Sequence, residues 1–90
     1  MVGAAAGQTR AVATQAERSA ATTAAVLVAA TDLFASKGWA STSMEEVARA
    51  AGVTKGGLYH HYKDKVELLA AVYEDLERRN VEHLLRQGGD

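Results

Sequence analysis

Thr42–Tyr62, TSMEEVARAAGVTKGGLYHHY, decides how this 90-residue chain folds. Ser43 opens a helical pattern: its hydroxyl can cap the amide of Glu46 while the Glu46 carboxylate reaches back to the Ser43 amide, a reciprocal capping box. Met44, Val47, Ala48 and Ala51 then share one face at three- and four-residue spacing, and Ala48 is small enough to let a crossing helix come close. Gly52 is placed to turn the chain in the left-handed conformation that side chains resist. Thr54 is the next N-cap, opening a short helix through about Tyr62 with Val53 and Leu58 facing inward. Two helices joined by Ala51-Gly52-Val53 are held at a fixed angle, the arrangement called helix-turn-helix.

Outward from this unit the chain reads as helix throughout. An earlier helix spans about Ser19–Ser36, with Val26, Ala29, Ala30, Leu33 and Phe34 in one stripe and Lys37-Gly38 ending it. Trp39 then folds back on the core or stands at a binding surface. Asp64 caps a fourth helix, with Glu67 completing a second box, and the pattern runs to about Arg86. Val66, Leu69, Ala70, Tyr73, Leu76 and Leu84 trace its apolar stripe, and Glu74–Arg78, Asp75–Arg79 and Glu82–Arg86 are favourable pairs four apart. Such a helix is about 33 Å long. That exceeds what three short helices cover, so Leu76, Val81, Leu84 and Leu85 need another surface. The fold class expected is all-α, a three-helix helix-turn-helix head followed by a long fourth helix.

Composition sets the limits. Apolar residues reach 48% largely through alanine, so the core is thin, and a net charge of -1 does not by itself nominate a polyanion partner. Charge is segregated, however: Thr22–Lys65 carries five Lys/Arg against four Asp/Glu, and Val66–Asp90 three against six. Without cysteine there is no disulfide, thiol nucleophile or thiolate metal site. No uninterrupted apolar run approaches bilayer length, and the amino end lacks the basic start and Leu-rich core of a secretory signal, so the cytoplasm is the expected compartment and no membrane partner is expected. Residues 1–17, rich in Ala, Gly and Thr, read as a flexible tail, with an arm along DNA through Arg10 and Arg18 as the alternative. Residues 18–63 form the helix-turn-helix domain and 64–90 a linking or dimerisation helix.

Gly56 and Gly57 at the start of the third helix each cost about 1 kcal/mol relative to alanine. That cost has a purpose if the backbone must approach a partner closely, and duplex DNA fits. Lys55, the long donor on that edge, suits guanine N7/O6 or a phosphate, against a reading as an ordinary solvated lysine. Thr54 can cap and offer a first-turn amide to a phosphate. Tyr59 can place its hydroxyl on a phosphate or sit half-buried; His60 can reach a phosphate or a base edge; Tyr62 reads as core. Lys65 is mismatched to the positive end of the fourth helix, and an external phosphate would offset the mismatch. Catalysis finds no support: Glu45 and Glu46 diverge around their helix, His60 and His61 cannot face one metal, and no catalytic residue, metal site or cofactor is expected.

The run Val26-Leu27, Ala30, Leu33-Phe34, Gly38-Trp39, Thr42-Ser43, Val47-Ala48, Ala51-Gly52-Val53-Thr54-Lys55-Gly56, Leu58-Tyr59, His61-Tyr62, Lys65 and Leu68 resembles the amino-terminal DNA-binding domain of tetracycline-repressor-type (TetR family) transcriptional regulators. The resemblance covers about 50 residues. It implies a third helix that reads double-stranded operator DNA, a fourth helix leading into a separate helical ligand-binding domain, homodimers, and repression relieved by a small-molecule effector. Carried over residue by residue, it implies base contacts by Lys55, Gly56, Gly57 and His60, phosphate contacts by Thr42, Thr54, Tyr59, His61 and Lys65, and the turn at Gly52. Two positions depart from the family pattern: Gly57, commonly a small hydroxylated residue or Ala, and Thr23, often Arg. The chain is also short for the family, which points to a fragment or truncated product of a longer regulator, with an autonomous small regulator as the alternative. The competing function is a helical protein–protein interaction module in which DNA binding is vestigial.

Overall fold

The computed structural model describes residues 14–88, which form four helices: α1 (Gln15–Lys37), α2 (Met44–Ala51), α3 (Lys55–His61) and α4 (Lys65–Gly88). This is the expected all-α architecture, a three-helix head followed by a long helix.

α1 begins four residues before the expected Ser19. Thr14 and Glu17 form a reciprocal capping box, with the Glu17 amide donating to the Thr14 hydroxyl at 3.0 Å and the Thr14 amide to the Glu17 carboxylate at 2.8 Å. Residues 14–17 therefore start a helix instead of ending a tail; the low content of large apolar residues concealed a Thr-x-x-Glu signal of the same kind as Ser43–Glu46. The rest of the expected tail, including Arg10, lies outside the described residues. At the far end, Gly38 adopts φ +89° and its amide donates to the Phe34 carbonyl at 3.0 Å.

α1 packs against each of the other three helices. The core consists of Val26, Leu27, Ala29 and Ala30 from α1, Met44, Val47 and Ala48 from α2, Leu58 from α3, and Leu68 and Val72 from α4. Full burial of a side chain such as Leu58 or Leu68 contributes about 1.5–3 kcal/mol, so these few residues carry a large share of the stability. By length and composition α1 is apolar enough to cross a bilayer, although no uninterrupted apolar run announces it. Alanine supplies that character, and of the helix only Val26, Leu27, Ala29 and Ala30 are buried in the core.

α4 departs from the expected stripe. Leu68, Val72 and Asp75 are buried, whereas Val66, Ala70 and Tyr73 are exposed and Leu69 is half-buried; Leu76, Val81, Leu84 and Leu85 are exposed, as expected of a helix that outruns the head. The helix turns its 68–72–75 face to the head, and the 66–70–73 face outward; choosing the greasiest stripe favoured the wrong side. Buried Asp75 is held by Arg78 at 2.5 Å and Arg79 at 3.0 Å, so Arg78 pairs with Asp75 and not with Glu74. At the start of α4 the Asp64 carboxylate accepts from the Glu67 amide at 2.8 Å. Glu67 in turn accepts from the Lys63 amide at 2.6 Å, one residue earlier than the expected Asp64 amide.

Candidate nucleic-acid interface

α2 starts as the sequence requires: the Ser43 hydroxyl accepts from the Glu46 amide at 3.1 Å and Glu46 accepts from the Ser43 amide at 2.9 Å. The same Glu46 carboxylate pairs with Lys37 at the end of α1, tying the two helix ends together. The hydrogen bond from Lys37, with that from the Ser43 amide, holds the Glu46 carboxyl below the usual range.

Gly52 takes φ 72° and ψ 29°, the left-handed conformation. Its amide donates to Arg49 at 3.2 Å and the Val53 amide to Ala48 at 3.0 Å, the paired bonds of a Schellman ending. One residue later Thr54 caps α3, its hydroxyl accepting from the Gly57 amide at 2.9 Å. α3 is only seven residues long, too short to persist by propensity, and fully buried Leu58 pins it to the core.

Its other side faces solvent. Lys55, Gly56, Tyr59 and His60 are exposed, Gly57 and His61 half-buried, and the His60 and His61 rings meet edge to face at 5.3 Å. Tyr59 is 40% exposed, so part of its ring is reachable from solvent. The two glycines differ. At Gly56 an added Cβ meets nothing within 4 Å, whereas at Gly57 it would lie 3.0 Å from the Thr54 hydroxyl. Gly57 thus has a reason internal to the chain, room for the capping hydroxyl, beside the close approach argued from sequence.

The Lys55 ammonium lies 2.9 Å from the Glu45 carboxylate across the turn, with both side chains more than half exposed. The hydrogen bond between them lowers the Glu45 carboxyl and raises the Lys55 ammonium relative to their ordinary values. Sequence reasoning weighed Glu45 only beside Glu46, as a catalytic pair. Residues ten apart on two helices become neighbours only once the angle of the turn is known.

Thr42 and Lys65 sit differently from the rest. Thr42 is 1% exposed, and its hydroxyl donates inward to the Gly38 carbonyl at 2.8 Å. The Lys65 ammonium donates to the carbonyls of Trp39 at 2.8 Å and Thr42 at 2.9 Å and stands 4.4 Å from the Trp39 ring centroid. Trp39 returns its indole N–H to the Lys65 carbonyl at 3.4 Å. The mismatch of a cation at the start of α4 is thus offset within the chain, by carbonyl dipoles and an aromatic face. Trp39 is neither buried nor free; it forms the floor of this clamp.

Tyr62 packs against the core as expected. Burial raises its phenol above the usual value. Thr23, a departure from the family pattern, donates its hydroxyl to the Ser19 carbonyl one turn back in α1 at 3.0 Å. Among the described residues no group of His, Cys, Asp and Glu is arranged to hold a metal ion.

Residues 26–72 match the family described as bacterial regulatory proteins, tetR family. The matched span runs from the first core residue of α1 to the last of α4 and includes the whole turn. Relatives match over a comparable length. The HTH-type transcriptional regulator AcrR of Shigella flexneri is 44% identical over 59 residues, 66% of this chain and 27% of the relative. The HTH-type transcriptional regulator TtgR of Pseudomonas putida is 36% identical over 70 residues, 78% of this chain and 33% of the relative. The HTH-type transcriptional activator FasR of Mycolicibacterium smegmatis is 38% identical over 60 residues, 67% of this chain and 26% of the relative. The chain spans between a quarter and a third of the length of these relatives. With a helix-turn-helix head in place and the match extending over its entire core, the chain belongs to the tetR family of bacterial regulatory proteins.

Proposed function

We propose that this chain is the DNA-binding head of a cytoplasmic transcriptional regulator, with α3 entering the major groove of double-stranded operator DNA. The observation that carries the reading is the presentation of α3: Leu58 is fixed in the core while Lys55, Gly56, Tyr59 and His60 stay accessible on the opposite side. A groove-binding helix needs that combination of a rigid back and a free front. Lys55, Gly56, Gly57 and His60 are the proposed base contacts; Thr54, Tyr59 and His61 are the proposed phosphate contacts. Thr42 and Lys65 support this surface from behind through the clamp on the α1–α2 loop; a phosphate would have to compete with two carbonyls for the Lys65 ammonium.

The exposed side of α4, with Tyr73, Val81, Leu84 and Leu85, is proposed to continue into the remainder of a longer regulator that forms homodimers and responds to a small-molecule effector. Repression is the proposed mode, because a head seated on a promoter excludes other proteins without any further surface; a promoter–reporter fusion reads the sign directly. The decisive experiment on the head is titration with mixed duplex DNA across a salt series. Affinity should fall steeply as salt rises, with a logarithmic slope of about -0.9 per phosphate neutralised. Lys55→Ala should weaken binding by about tenfold. Binding indifferent to both salt and Lys55 would reject the reading and leave a helical interaction module.

A further inference from the structure

Glu45 stands in the first turn of α2 and Lys55 in the first turn of α3. The Gly52 turn brings carboxylate and ammonium to 2.9 Å while both stay more than half exposed. As a stability device such a surface pair does little. Its position matters more: it puts a fixed negative charge on the face where a polyanion is proposed to land. A phosphate drawn to Lys55 would be repelled by Glu45 at nearly the same distance.

A base edge has no such conflict. In the major groove a G·C pair presents the N7 and O6 acceptors of guanine beside the N4 amino donor of cytosine. O6 and N4 are separated by the hydrogen bond of the pair itself, about 2.9 Å. A donor and an acceptor held the same distance apart match that edge, Lys55 Nζ on O6/N7 and Glu45 Oε2 on N4. A T·A pair offers O4 and N6 in the same order, but it sets a methyl group beside the ammonium in place of a second acceptor. The two reversed pairs put an amino group against the ammonium. Resting on the DNA-binding reading above, we propose that Glu45 and Lys55 form one reading unit for a single G·C pair in one orientation, in which Glu45 is a specificity-determining residue and Lys55 contacts a base and not a phosphate.

Selection from a random duplex pool tests this with the 90-residue chain as wild type, Glu45→Gln, Lys55→Ala and the double variant, each verified as helical by circular dichroism. Wild type should fix one G·C position in the motif it enriches. Glu45→Gln should bind the unselected pool several-fold more tightly and lose about tenfold or more of the discrimination at that one position. On the Lys55→Ala background, Glu45→Gln should change the preference at that position no further. If Glu45→Gln selects the same base with undiminished preference, the reading unit is refuted and Glu45 is an ordinary solvated carboxylate. If wild type enriches nothing and binds without salt dependence, the DNA-binding reading itself fails, a result distinct from the first, which requires an enriched wild-type motif.

Discussion

Gly52 and Lys65 show how single residues set the geometry of the head. At Gly52 the backbone is left-handed with open space around the Cβ position, so the cost of a side chain is purely conformational. Gly52→Ala should destabilise the chain by about 1–2 kcal/mol in urea denaturation. Lys65 holds the α1–α2 loop through two carbonyls and the Trp39 ring, and Trp39 is the only tryptophan in the sequence. Lys65→Met should therefore shift the intrinsic fluorescence of the free protein and cost about 1–3 kcal/mol in the same denaturation assay; unchanged emission would mean that the clamp does not form in solution. Tyr62 gives a pH signature. Its phenol ionises near 10.0 in the unfolded chain and higher in the fold, so its contribution is complete below pH 10 and is lost as pH rises through the folded value. The denaturation midpoint should decline above pH 10 in wild type and decline less in Tyr62→Phe.

The helices are short enough that their caps count as much as their packing. Ser43→Ala and Thr54→Ala each remove a hydroxyl that satisfies a first-turn amide, at an expected cost of about 1 kcal/mol. For seven-residue α3 the loss should be visible locally, as faster hydrogen exchange at the Gly57 amide in Thr54→Ala. Caps were also the most legible feature of the sequence, because a capping box depends only on residues three apart. Ser43–Glu46, Thr54 and Asp64 all open helices where local chemistry places them. Thr14–Glu17 obeys the same rule but was masked by an alanine-rich neighbourhood. The face of α4 was not legible. Two stripes fit the helical period, and only docking against α1 decides that Leu68, Val72 and Asp75 turn inward.

At the scale of the molecule, a core of ten among the described residues supports both the turn and a long α4 whose outer side stays exposed. Leu68→Ala, which opens a cavity between α4 and the head, should cost about 2–5 kcal/mol, a large part of the stability of a domain this small. The candidate site divides in the same way between local and long-range information. The outward position of Lys55, Gly56 and His60 follows from turn and period. The inward hydroxyl of Thr42, the clamp on Lys65 and the pairing of Glu45 with Lys55 depend on contacts between segments that sequence spacing does not encode. Whether the front of α3 or the side of α4 meets the partner is answered most directly by backbone amide chemical shifts recorded while duplex DNA is added. The predicted result is perturbation concentrated from Thr54 to His61 and at Glu45, with Val81, Leu84 and Leu85 unmoved. Shifts confined to α4, with Lys55 and Gly56 unchanged at saturating DNA, would contradict it.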